Sequence, residues 1–125
     1  MSHKTEVHVK VDNEQALKEA LEEMGYTAKT GKHTLKAFNW TMDCDVSVMK
    51  NDKQLMIGFS KIDDGYKVEA DWWGTGINQK KFQESLNMLH GKHKVKNWFS
   101  QNRYKVSYEE AEDGSLVVVG TRWKA

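Results

Sequence analysis

The sequence predicts an α+β fold: a mostly antiparallel sheet of five to seven strands, two helices on one face, ferredoxin-like with an extended meander. Two observations lead there. Helical apolar stripes over 12–26 and 78–102 are separated by segments that alternate apolar and polar residues. Asn51-Asp52 and Asp63-Asp64-Gly65 supply tight turns between those segments. A length of 125 residues fits one domain spanning 1–125.

In chain order, Val7, Val9 and Val11 alternate with Glu6, His8 and Lys10, a strand with one buried face. Asp12 is the expected N-cap of the first helix, with Gln15 as its capping-box partner. Ala16, Leu17, Ala20, Leu21 and Met24 form its apolar stripe, and Gly25 supplies a left-handed C′ position with Tyr26 packing back on Leu21. The polar, basic stretch 27–33 reads as a loop, and 35–40 alternates weakly enough that a strand there stays open. Cys44, Val46 and Val48 then share one strand face; Leu55, Ile57 and Phe59 share the next; Tyr66, Val68, Ala70 and Trp72 complete the meander. Trp73-Gly74-Thr75-Gly76 breaks the pattern. Asn78 is the expected N-cap of the second helix, in which Phe82, Leu86, Leu89 and His93 share a face while Val95, Trp98 and Phe99 lie nearly opposite. That switch implies either a kink at Gly91 or a cover over the second half. Asn102 stops the helix. Tyr104, Val106 and Tyr108 form a strand, Asp113-Gly114 a turn, and 116–123 the last strand.

Composition excludes several classes. The single Cys44 rules out an intrachain disulfide and Cys-rich zinc modules, and points to a reducing compartment. The absence of proline rules out proline-rich linkers and recognition tails. No apolar run approaches the ~18 residues that cross a bilayer, and Met1–Glu6 lacks the apolar core of a secretory signal. A cytoplasmic protein with no membrane partner is expected.

The strand and helix ending in Glu23-Met24-Gly25-Tyr26, the segment Asp45-Val46-Ser47-Val48, the strand running into Ala70-Asp71-Trp72-Trp73, and the two termini (Met1-Ser2-His3 and Glu112-Asp113-Gly114-Ser115 through Thr121-Arg122-Trp123) resemble one family. It is the hypothetical chloroplast reading frame thirty-five family of plastids and cyanobacteria, which has bacterial and phage-like relatives. The resemblance covers essentially the whole chain. It implies compartment and fold size but no chemistry, because the family is a domain of unknown function. The family has a tyrosine-rich stretch in its last long helix; here that region reads Leu89-His90-Gly91-Lys92-His93-Lys94.

Charge order is the most informative feature. Total charge is only +1, yet residues 78–105 hold seven cations (Lys80, Lys81, Lys92, Lys94, Lys96, Arg103, Lys105) against Glu84 alone. Residues 12–23 hold five acids against Lys18. The basic helix therefore either pairs with the acidic one or presents a field that attracts phosphates or an acidic partner. On the second reading the candidate ligand-binding residues are Trp73, Thr75, Lys80, Lys81, His90, Lys92, His93, Lys94 and Arg103. Trp73 would stack a ring, and the turn and helix start would hold an anion; the competing reading makes Trp72 core and Gly74 and Gly76 turn residues. His90 and His93, three apart, would form a metal site only if His33, Cys44 or Asp71 joined them; otherwise His93 is partly buried and His90 lies at the surface. Cys44 sits between two acids, which disfavours a thiolate, so a buried structural role is expected. No acid/base dyad and no serine nucleophile elbow emerges.

The expected function is a small non-enzymatic binding or regulatory protein, without a cofactor, that meets an acidic protein surface, a nucleotide or nucleic acid through the second helix. Two other classes stand beside it. One is a phage-type inhibitor or sponge that sequesters a signalling nucleotide or blocks a defence protein. The other is a metal-dependent activity using His90 and His93. The apolar run Leu116–Val119, if at a sheet edge, would allow a homodimer.

Overall fold

A computed structural model describes residues 5–9, 11–37 and 39–122, with side chains from Val11 onward. The expected side-chain alternation of residues 6–10, and the parts assigned to residues 1–4, Phe38 and Trp123, lie outside the described residues. The elements are β1 (Thr5–Val9), α1 (Glu14–Glu23), β2 (Thr27–Lys36), β3 (Thr41–Lys50), β4 (Lys53–Ile62), β5 (Gly65–Ala70), α2 (Trp72–Thr75), α3 (Gln79–Gln101), β6 (Tyr104–Glu110) and β7 (Leu116–Arg122).

The α+β class and the helices on one face hold. β1 to β5 form a five-stranded sheet in the order β1-β5-β4-β3-β2, every neighbour antiparallel. The ferredoxin-like arrangement does not hold. A split βαβ places the first strand inside the sheet beside a parallel neighbour, whereas β1 lies at an edge against antiparallel β5. β6 and β7 form a separate two-stranded sheet instead of extending the first. The cause lies in α3. At 23 residues it is about 34 Å long at 1.5 Å per residue. Arg103 turns the chain back at φ 63, so the β6–β7 hairpin docks on the helix.

Local chemistry explains the elements. α1 starts one residue later than expected, at N-cap Asn13, whose Oδ1 accepts the Ala16 N–H at 2.9 Å. Gln15 makes no capping box; its Nε2 donates to Glu19 instead. The end of α1 is the expected Schellman turn: Tyr26 N donates to Leu21 O, Gly25 N donates to Glu22 O, and Gly25 sits at φ +92. The two-residue turn Asn51-Asp52 has φ 51 and 63, the twist a tight hairpin needs. β2 corrects the expected loop over 27–33. It is an edge strand, so its outward positions stay polar and erase the alternation that marks a half-buried strand. A bulge at Gly31-Lys32, with Gly31 at φ +91, breaks it further.

The main core lies between the helices and one sheet face. Leu17, Ala20 and Leu21 of α1 meet Phe82 and Leu86 of α3 over Val46, Val48, Ile57, Phe59 and Val68. Trp72 is buried here, its ring 5.3 Å from Phe82, as the core reading expected. Cys44 does not share this face with Val46 and Val48. It joins Leu35 and Met42 in a small cluster across the sheet, where a Cβ on Gly58 would stand 2.9 Å from its Cβ and 2.7 Å from the Met42 sulfur. Glycine is what lets β3 fold over β4 there. Burial, reinforced by Asp45 and Asp43, pushes the Cys44 thiol up to about 11, in line with a structural cysteine.

α3 is helical throughout 79–101, and the hairpin is the expected cover on its second half. Phe99 packs on Tyr104 at 5.2 Å, and a Cβ on Gly120 would strike the Phe99 ring. Gly120→Ala is therefore expected to destabilise the protein by about 1–3 kcal/mol through overpacking. Urea unfolding checks this; an unchanged midpoint would show that the hairpin does not rest on Phe99.

Candidate functional site

The structure brings α1 and α3 side by side, and their opposite charges meet. Three acids at the α1 end of the chain meet three lysines of α3. Glu23 Oε1 accepts from Lys92 Nζ at 2.8 Å and lies 3.2 Å from His93 Nε2. Glu19 accepts from Lys96 and, at 2.8 Å, from Asn97 Nδ2. Asp12, just before α1, accepts from Lys94 Nζ at 2.7 Å and 2.8 Å. Of the candidate binding residues, Lys92, Lys94, His90 and His93 thus belong to an internal seam. The Lys92 ammonium also lies 4.9 Å from the Tyr108 ring centroid, which ties the hairpin to the same seam.

His90 is buried, not at the surface. It follows Leu86 by four residues, so it continues the core-facing row of α3. Its Nε2 accepts the backbone N–H of Asn13 at 3.2 Å. A capping box would satisfy that donor from within α1; here α3 does so, 77 residues away in sequence. Accepting this bond requires an unprotonated Nε2. Burial lowers the His90 pKa below its ordinary value, with the Asp12 carboxylate 3.7 Å away opposing that shift. His93 is held on both ring nitrogens, by Glu23 on Nε2 and by Lys96 and Glu19 around Nδ1. Among the described residues no three His, Cys, Asp or Glu side chains converge as metal ligands. His33 and Cys44 lie together elsewhere, on the far side of the sheet, where His33 Nε2 is 2.7 Å from Ser47 Oγ and 3.4 Å from Cys44 Sγ. Asp71 caps α2, its Oδ1 accepting the Gly74 N–H at 3.0 Å.

The remaining candidates fall at the two ends of α3. Trp73 is 73% exposed on α2. The Thr75 hydroxyl is occupied, donating to Trp72 O at 2.8 Å and accepting from Ile77 N at 3.2 Å. Gly76, at φ +69, closes α2 as a turn residue. Asn78 caps α3 as expected, its Oδ1 accepting the Lys81 N–H at 3.0 Å. Lys80 and Lys81 are exposed, and no acid among the described residues pairs with either. Arg103 follows the other end of α3, about 34 Å from Lys80 along the helix axis, so it shares no site with them. Glu19 and Glu23 make the pairing that the charge order offered between the acids of 12–23 and the basic helix. Sequence reasoning missed Asn97, whose signal was its step of four from His93, which places both on one helix face.

The carboxylates of the seam titrate low. Lys94 holds Asp12 below the usual range, and Lys92 does the same for Glu23. Burial pushes Glu19 up, but the Lys96 and Asn97 hydrogen bonds outweigh it and its pKa too is lowered. These acids contribute stability that is present above their ordinary values of 3.8 and 4.5 and is lost as pH falls through their lower folded values. His90 acts in the same direction but earlier. Its unfolded form takes a proton near 6.5 while the folded form resists, so stability falls as pH drops below 6.5. Urea midpoints are expected to decline from pH 8 to pH 4. His90→Phe, which strands the Asn13 N–H, is expected to cost about 1–3 kcal/mol at pH 7.5 and to flatten the decline between pH 7 and pH 5.5. A variant with the wild-type slope would remove His90 as its source.

Comparison with known proteins agrees with the resemblance. The chain is 27% identical over 128 residues to the Uncharacterized protein ycf35 of Cyanophora paradoxa, covering 99% of each. No solved structure matches the chain. Among the described residues no helix is long and apolar enough to cross a membrane. Residues 20–119, which run from the middle of α1 to the middle of β7, match the family described as Protein of unknown function (DUF1257), and the chain belongs to that family.

Proposed function

We propose that this is a non-enzymatic binding protein that meets an anionic partner surface through the start of α3, with Lys80 and Lys81 supplying charge and Trp73 a flat apolar contact. The observation that carries this reading is the division of the basic helix. Lys92 and Lys96 are neutralised by acids of α1 and Lys94 by Asp12 just before it, while Lys80 and Lys81 have no such partner among the described residues. A cation already paired gains little from a second anion. An unpaired, exposed lysine keeps its full attraction and steers encounter with an opposite charge. An exposed tryptophan on α2, which precedes α3 in the chain, adds apolar area, the residue type that anchors protein interfaces. Arg103 and Lys105, also without acid partners among the described residues, lie beyond the other end of α3, Lys105 in β6.

Polyglutamate and a single-stranded oligonucleotide, titrated at low salt and followed by tryptophan fluorescence, test the reading. Binding of polyglutamate is expected, weakened roughly tenfold in Lys80→Glu/Lys81→Glu, a change of about 1.4 kcal/mol, and unchanged in Lys105→Glu. A steep salt slope with the oligonucleotide alone would place the anion in nucleic acid. Binding of neither probe, or equal loss in both variants, would sink the proposal.

A further inference from the structure

We propose that the groove between the end of α1 and the first half of α3 is the docking site for an acidic amphipathic helix of a partner protein; this rests on the start of α3 being the contact end. The groove holds about 510 Å³. Its apolar lining is Met24, Tyr26, Ile77, Phe82, Met88 and Leu89. Met88 is 56% exposed, an unusual position for a methionine on a helix whose neighbours are mostly polar. Methionine is pliable and polarisable, and methionine-lined surfaces accept helices of varied sequence. Lys81, Ser85 and Met88 of α3 follow one another at steps of four and three along the groove wall, and Ile77, just before the Asn78 cap, lines its end. A bound helix presenting apolar residues at i, i+3, i+4 and i+7 fits such a row.

Charge names the sign of the occupant. Lys81 lines the groove, and the Lys50 ammonium lies 5.8 Å from the ring centroid of Tyr26 at its sheet side. Among the described residues no acidic side chain lines it. A larger hollow beside Trp98 gives no such indication, because Glu19 and Lys94 both line it and both are consumed by the seam. A second copy of this chain is disfavoured as occupant. Its acidic amphipathic helix is α1, whose apolar residues Ala16, Leu17, Ala20 and Leu21 are fully buried in its own core.

Titrating the full chain, labelled at its methionine methyls, with a synthetic leucine-rich amphipathic peptide of about four helical turns tests this. One version carries glutamate on its polar face and the other lysine. The glutamate peptide is expected to shift the Met24 and Met88 methyl signals and to bind at least tenfold tighter than the lysine peptide. Met88→Glu and Lys81→Glu are each expected to weaken it about tenfold. Loss of binding in Lys80→Glu/Lys81→Glu but not in Met88→Glu would overturn the groove and leave the charge contact standing. Failure of both peptides together with polyglutamate would overturn both. Methyl shifts that grow with protein concentration alone would show a second copy in the groove and overturn the partner-helix proposal.

Discussion

The contact between α1 and α3 is where the near-zero charge of the chain is made. Acids on one helix and bases on the other cancel across a seam that also seals the main core. The ion pairs are not its main source of stability. Exposed pairs contribute at most about 1 kcal/mol each, and the Lys94–Asp12 pair is about half exposed on both sides. Burial of Leu17, Leu21, Phe82 and Leu86 beneath them supplies about 1.5–3 kcal/mol per side chain. What the pairs add is register. Apolar side chains tolerate sliding, but Glu23 on Lys92, Glu19 on Lys96 and Asp12 on Lys94 fit one alignment only, and His90 fixes it by capping the start of α1. The rest follows from that alignment. It places α3 so that its first half closes the sheet core and its second half projects as the platform for the β6–β7 hairpin.

Much of this was legible in the residues. The stripe of α1, its Gly25 end, the Asn78 cap, the Asn102 stop and the Asn51-Asp52 turn each follow from short-range chemistry that tertiary structure leaves intact. The failures share a cause. β2 is polar because it lies at an edge, and edge position is a property of the whole sheet. The second sheet depends on how far α3 outruns the first, which no local pattern encodes. Cys44 lies across the sheet, packed against Gly58 of β4, a tertiary contact that strand alternation does not encode. His90 is buried because a polar ring there has a backbone donor to satisfy, and that donor sits 77 residues away.

The candidate site was legible as charge order but not as geometry. Seven cations in one stretch posed two alternatives, and the structure shows internal pairing for Lys92, Lys94 and Lys96. The middle is internal. The start of α3, with Lys80, Lys81 and the groove beside Met88, keeps unpaired charge and exposed apolar surface together. The stretch Leu89–Lys94 is in this chain the heart of the seam. Its histidines and lysines contact the start and the acids of the first helix segment.

The central claim is that the bases in the middle of α3 are committed to α1. A charge swap measures it directly. Glu19→Lys and Lys96→Glu are each expected to lower the urea midpoint, and the double variant, which restores opposite charges across the same gap, is expected to recover most of the loss, with a coupling of at least about 0.5 kcal/mol. Additive losses with no recovery in the double variant would mean that the two helices are aligned by something other than this pairing, and the basic helix would again be open to bind along its whole length.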